Sequence, residues 1–283
     1  MSRKLEGVAP RTRLPANSVD THMHLYAPQY PQLTPGPLIP PDCPGIDEYR
    51  RLQRWLGLEQ VVIVQANAYR DDNSCMLAAL DAFGENARGV AVVTPDTPES
   101  TLAELLQRGV RGARIMQLPG GAVGLEHLLA VNARVREFGW HCIVQFDGRE
   151  MLDHVPLLAQ IDNPFIIDHI GKFLGPVTPQ DPEFQALLKL MDKGNCYVKI
   201  AACYESSHSG GPDYADTAAL SRALIAQAPE RVLWASNWPH VSQSVEKAPN
   251  DAQLLDTVCG WMEDASTLEK IFVHNPRDLY DFS

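Results

Sequence analysis

Basic residues are the minority charge in this chain: 24 Lys and Arg stand against 35 Asp and Glu, a formal net charge of -11. Long-range repulsion of that sign opposes an encounter with nucleic acid or an anionic membrane, so neither partner is expected. Cysteine is sparse as well, with six residues at positions 43, 75, 142, 196, 203 and 259. None forms a C-x-x-C pair or a zinc-ribbon spacing, so neither a disulfide framework nor a structural metal is expected, and a reducing cytoplasm is the expected compartment. No apolar run is long enough to span a bilayer, and the opening MSRKLEGVAPRTRLPANS carries charge and proline without an apolar core. Neither a membrane span nor a secretory signal is therefore expected. No G-x-G-x-x-G follows any apolar run, which removes the usual dinucleotide cradle.

What the chain does have is apolar mass, 45% hydrophobic over 283 residues, enough for one large core. Eight short runs rich in Val and Ile recur: Val19 to His24, Gln60 to Gln65, Arg88 to Val93, Gly112 to Met116, His141 to Phe146, Phe165 to Asp168, Cys196 to Ile200 and Val232 to Ala235. Between them lie helix-period stretches such as STLAELLQRG and PEFQALLKLMDKG, several ending at a glycine suited to a left-handed C-cap. Strands apolar on both faces belong to parallel sheets covered by helices, and eight such units close most naturally into a (β/α)8 TIM barrel of the α/β class. An open doubly wound sheet is the alternative. One domain is expected over 1–283, with 1–17 an N-terminal extension and 26–45, which holds seven prolines, a loop over the barrel mouth. The Gly/Ser/Pro stretch 206–213 is expected to be a second mouth loop, since active sites of such barrels lie where the strands end.

Strand ends carry the chemistry. In SVDTHMH, alternation sends His22 and His24 to one face and Met23 to the other. Burying two imidazoles side by side without purpose is costly, which favours a functional reading. His169 ends the sixth run, and Asn237 and His240 follow the eighth. Arg114 in RGARIMQ, Lys199 at the end of the seventh run and Lys172 just past His169 are cations in an acidic protein, suited to gripping a carboxylate. His127, His141, His154, His208 and His274 read as ordinary surface or core residues, His141 lying at the stability end of its strand.

The H-x-H, HIGK, NWPH and NPRDLY segments, with VIVQA, ARGVAVV, RGARI and IDHIGK, resemble the metal-independent branch of the amidohydrolase superfamily. Within it the likeness is to the 2-pyrone-4,6-dicarboxylate lactonase group, which includes isomerases of sugar-diacid lactones. The resemblance implies that His22, His24 and His169 surround a lactone carbonyl while Arg114 and Lys172 hold carboxylates. It further implies that Asn67, Tyr69 and Gln145 line the pocket, joined as substrate-binding candidates by Lys199 and His240.

Two departures from the family pattern matter. Metal-dependent relatives carry a histidine where VQFDG has Gln145, and the usual aspartate of the eighth strand is Asn237, which cannot accept a proton at ordinary pH. No catalytic metal and no other cofactor are therefore expected. Without a base, water is a poor nucleophile, whereas a hydroxyl of the same sugar acid reaches effective molarities on the order of 10⁵ to 10⁸ M. The expected reaction is therefore conversion of D-galactaro-1,5-lactone into the 1,4-lactone. In it His22 and His24 would donate to the carbonyl oxygen, His169 would shuttle the proton with His240 as an alternative, and Asn237 would orient a hydroxyl. The alternatives are a metal-independent lactonase acting on a pyrone dicarboxylate or aldarolactone, a zinc-dependent amidohydrolase, and a non-catalytic sugar-acid binding protein.

Overall fold

In the computed structural model, which describes residues 3–283, eight parallel strands follow one another in chain order around one sheet. They are β1 (Val19–Met23), β2 (Gln60–Val64), β3 (Ala87–Ala91), β4 (Val110–Met116), β5 (His141–Gln145), β6 (Phe165–Ile167), β7 (Cys196–Ile200) and β8 (Val232–Trp234). The ring closes just beyond β8, where His24 N donates to Trp238 O at 2.8 Å and Asn237 N donates to His22 O at 3.0 Å. The expected (β/α)8 barrel is thus what the chain forms, each strand within a few residues of its apolar run.

Two apolar layers hold it together. Inside the barrel, Val19, Val62, Val90, Ile143, Ile166 and Leu233 form a cluster of their own. The larger cluster packs the outer strand faces against the helices. Helix Ile46–Leu56 shows the logic: Tyr49, Leu52 and Leu56 recur on one face, are buried, and are followed by Gly57 in the left-handed region at φ 79.

One irregularity positions the chemistry. The β1–β2 register shifts between Asp20 and Met23, so the strand changes parity within its length. Val19 joins the inner cluster and Met23 the outer one, which turns both His22 and His24 inward above the apolar plug.

The expected extension at 1–17 is described from residue 3 onward, and that part is anchored to the barrel's flank. Leu5 is buried, Trp55 Nε1 donates to Val8 O at 3.0 Å, and the Arg11 and Thr12 amides donate to the Asp256 carboxylate. From the proline-rich segment 26–45, Tyr26, Pro37 and Leu38 line a cavity at the strand ends, and the segment is tied down by Leu33 N to Ala68 O at 2.9 Å and Tyr26 N to Pro44 O at 3.0 Å. The stretch 206–213 behaves otherwise. It winds around Asp216, whose carboxylate accepts from the Ser207 and Ser209 hydroxyls and from the His208 and Ser209 amides. Among the described residues, no helix is long and apolar enough to cross a membrane.

Candidate active site

At the carboxyl ends of the strands a cavity of about 560 Å³ is lined by His24, Asn67, Arg114, Gln145, His169, Lys172 and Asn237, seven of the eleven residues expected from the sequence. Met116, against Arg114 and Asn67, belongs to one wall, and Glu205 and Ser242, joined to Asn237 and Lys172, form the far wall; Tyr26, Pro37, Leu38, Leu118, Pro119 and Val241 line the rest. Strand parity accounts for the selection: Arg114 pairs with Ile143 and Met116 with Gln145 in the β4–β5 register, and Ile143 belongs to the barrel interior. Glu205 was not singled out in the sequence. It follows β7 at a strand-end position, and that position was its one available signal.

The other four expected residues lie behind the cavity wall. Tyr69 is buried, and its hydroxyl accepts from Ala27 N at 3.1 Å, so it pins the mouth loop rather than lining the pocket. Lys199 is wholly buried beneath the cavity, with Nζ 3.3 Å from His22 Nδ1 and 3.7 Å from Asp168 Oδ1. It adjoins the histidine cluster and is not among the residues that line the cavity. His240 is enclosed between Tyr204 OH at 2.8 Å and Asp251 Oδ1 at 2.9 Å. His22 is likewise wholly buried, reached through His24.

Proton positions follow from these contacts. His24 Nδ1 lies 2.9 Å from Val64 O, and since a carbonyl only accepts, Nδ1 carries the proton. Burial, then Arg114, lowers His24 to about 3, so it is neutral and Nε2 is bare. His22 Nε2 lies 3.2 Å from that bare nitrogen, so the proton between them belongs to His22. Burial keeps His22 neutral as well, leaving its Nδ1, 3.3 Å from both Lys199 Nζ and Asp168 Oδ2, to accept from the ammonium that pairs with that carboxylate. A chain Lys199 to His22 to His24 to Val64 O results, each member donating to the next. The donor role expected of the H-x-H pair is corrected accordingly: His24 has no N–H to offer, and the His22 N–H is already given to His24.

His169 is arranged differently. Its Nε2 lies 3.5 Å from Asp168 Oδ2, and its Nδ1 has no protein partner. A proton on Nε2, beside the anion, leaves Nδ1 as an acceptor. Burial lowers His169 to about 4, against the pull of Asp168. Burial works to raise Asp168, but His169, His22 and Lys199 hold it well below the ordinary carboxylate range. His169 is therefore neutral across the physiological range and not poised near neutrality as its type suggested.

Asn237, at φ 57 in the left-handed region, is oriented by its neighbours. Its Nδ2 donates to Tyr204 OH at 2.9 Å and to Glu205 Oε1 at 3.3 Å. With His240 Nε2 donating to Asp251, Nδ1 accepts from Tyr204, and the phenol oxygen is free to accept from the amide. Burial pushes Tyr204 well above its usual value, keeping that proton on oxygen. Asn237 thus spends its N–H groups on the wall, and its Oδ1 remains as an acceptor. Glu205 also accepts from Ser242 Oγ at 2.5 Å and is ion-paired with Lys172. Burial would raise its carboxyl, but Lys172, then His169, holds it at about 2.

The donor set does not fit a divalent cation. His22, Asp168 and His169 present ligand atoms within 4.8 Å of one another. The buried Lys199 ammonium, however, lies 3.7 Å from the only carboxylate of that group and would repel a cation there. Where a further imidazole and carboxylate would complete a site, Gln145 and Asn237 offer neutral amides.

Comparison with known proteins gives a match to the amidohydrolase family over residues 19–282. The chain is 45% identical over 283 residues to D-galactarolactone isomerase of Agrobacterium fabrum, covering 99% of this chain and 97% of that protein. It is 28% identical over 284 residues to a 2-pyrone-4,6-dicarboxylate hydrolase of Comamonas testosteroni, covering 96% and 92%. A solved apo structure from Agrobacterium tumefaciens superposes with a TM-score of 0.96 at 44% identity, covering 99% of both chains.

Proposed function

The chain belongs to the amidohydrolase family, and from that premise we propose that it is a lactone isomerase converting D-galactaro-1,5-lactone into D-galactaro-1,4-lactone without metal or cofactor. The observation that carries this reading is the weakness of every base at the cavity. Asn237 is an amide, Glu205 is held at about 2, His24 at about 3 and His169 at about 4. None removes a proton from water readily. A hydroxyl of the substrate needs the same help, but it meets the carbonyl already oriented. Held in place, it gains at least about a thousandfold over bulk water, or roughly 4 kcal/mol. The 45% identity to a protein named as a galactarolactone isomerase supports the same choice over hydrolysis.

In the proposed sequence the substrate carboxylate rests on Arg114, whose Nη1 donates to Gln65 O at 2.7 Å while its buried Nε has no protein partner. The 4-hydroxyl attacks the lactone carbonyl and passes its proton to His169 Nδ1. Asp168, behind Nε2, stabilises the brief imidazolium. Negative charge on the tetrahedral oxygen is met by Lys172 and Arg114. As the intermediate collapses, the C1–O bond of the old ring breaks and its oxygen, leaving as the 5-hydroxyl, takes the proton back from His169. Asn237 Oδ1 accepts a substrate hydroxyl throughout. We place the enzyme in the cytoplasm, in keeping with six free thiols.

A proton NMR time course of the 1,5-lactone with enzyme tests the reading. Signals of the 1,4-lactone should replace those of the substrate before open-chain galactarate accumulates. Enzyme-accelerated galactarate from the first time points would make the protein a lactonase.

A further inference from the structure

The charges that line the cavity are unevenly distributed. Among the described residues only Arg114, Lys172 and Glu205 bring full charge to its wall, since His24 and His169 are neutral. Lys172 and Glu205 cancel each other as an ion pair that is nearly removed from solvent, at 9% and 11% side-chain exposure. Beneath the floor, Lys199 and Asp168 cancel in the same way. One cation is left without an anion, and Arg114 is that cation, with its Nε lacking a protein partner.

We propose that Glu205 is a specificity-determining residue that limits the site to ligands with a single carboxylate and turns their hydroxyl-bearing end toward the far wall. The proposal shares with the isomerase reading only the premise that this cavity takes the substrate. A ligand with one carboxylate satisfies Arg114 and leaves the Lys172–Glu205 pair intact. A second carboxylate at the far wall would have to compete with Glu205 for Lys172. Either the newcomer or Glu205 would then be a buried anion without a cationic partner, which is strongly unfavourable. Hydroxyls meet no such penalty, because they can donate to the carboxylate and to Asn237 Oδ1 and accept from Lys172. The wall is rigid enough to discriminate: Glu205 Oε1 is fixed by Ser242 and Asn237, and Asn237 by Tyr204. Rejection by a placed like charge is the repulsive half of specificity. It separates a hydroxylated lactone monocarboxylate from a flat ring dicarboxylate of similar size. Lys172, expected from the sequence to hold a carboxylate, is thereby reassigned to hydroxyls and to the carbonyl oxygen.

Calorimetric titration with two probes of one ring, 2-pyrone-6-carboxylate and 2-pyrone-4,6-dicarboxylate, tests the proposal without turnover. The wild-type protein should bind the monocarboxylate more tightly by at least about tenfold. Glu205→Gln should abolish or reverse that preference by freeing Lys172, whereas Glu205→Asp, which keeps the charge, should retain it. Equal or tighter binding of the dicarboxylate by wild-type protein would overturn the proposal even if Glu205→Gln failed to fold. An unchanged ratio in a folded Glu205→Gln would overturn it too. Failure of the isomerase reading would show in the products formed and would leave this ratio untouched.

Discussion

At Asn237 the side-chain amide is held by Tyr204 and Glu205, and its chemistry is set by its inability to accept a proton. In Asn237→Asp, one new carboxylate oxygen would take the place of an N–H that now lies 3.3 Å from Glu205 Oε1. Repulsion between the two carboxylates would raise the pKa of the introduced one and make it a better base. Hydrolysis should then appear at about 100-fold or more above the wild-type background, rising with pH as that group ionises. NMR detection of open-chain galactarate checks this, and an unchanged product ratio would count against the role given to the amide. His169 acts as a base only when neutral, and it is lowered to about 4 by burial. Catalytic turnover should be flat through neutral pH and fall as pH drops through that value, and His169→Ala should lower kcat by about 10²- to 10⁴-fold.

Elements decide which of the expected residues meet the ligand. Strand positions were readable because a parallel strand buried on both faces leaves a continuous apolar run, and the H-x-H followed from alternation. The depth of each side chain was not readable. Lys199 and Arg114 both sit on strands and face inward, but Lys199 extends beneath the floor toward Asp168 and Arg114 stays at the wall. That difference depends on strand stagger, which no local pattern records. Tyr204 and Glu205 belong to the short helix Cys203–Ser206, too brief to leave a period. Tyr69 had the right location but the wrong task, because its hydroxyl turns to the proline-rich loop. Tyr69→Phe removes the acceptor for Ala27 N and should loosen that loop. KM is expected to rise about threefold with kcat nearly unchanged, since the loss falls on substrate binding and not on the reacting atoms. An equal loss in both constants would place Tyr69 in the chemistry.

For the molecule as a whole, the buried histidines tie stability to pH. His24 and His141 are lowered to about 3 and His169 to about 4, in each case chiefly by burial. An unfolded histidine takes up a proton as pH falls below about 6.5, while these three do not until much lower. The unfolded state therefore binds more protons between those limits. Stability is fully present above about 6.5 and is lost as pH falls, at about 1.4 kcal/mol per pH unit for each histidine. Glu205, held at about 2, adds loss of the same sign below the ordinary carboxylate range. Urea midpoints at pH 7 and pH 5 should differ strongly, the lower pH being the weaker, and equal midpoints would contradict the neutral, buried assignment. The barrel as a whole was visible in the rhythm of eight runs, whereas its closure through Asn237 and Trp238 was not, because that segment lies beyond the last strand.

Oxygen tracing addresses the reaction itself. When D-galactaro-1,5-lactone is turned over in ¹⁸O-labelled water and the early product is examined by mass spectrometry, a 1,4-lactone free of label is expected, because the entering oxygen comes from the substrate's own 4-hydroxyl. Label appearing in the product carboxylate at the enzyme-catalysed rate would mean that solvent is the nucleophile and would contradict isomerisation.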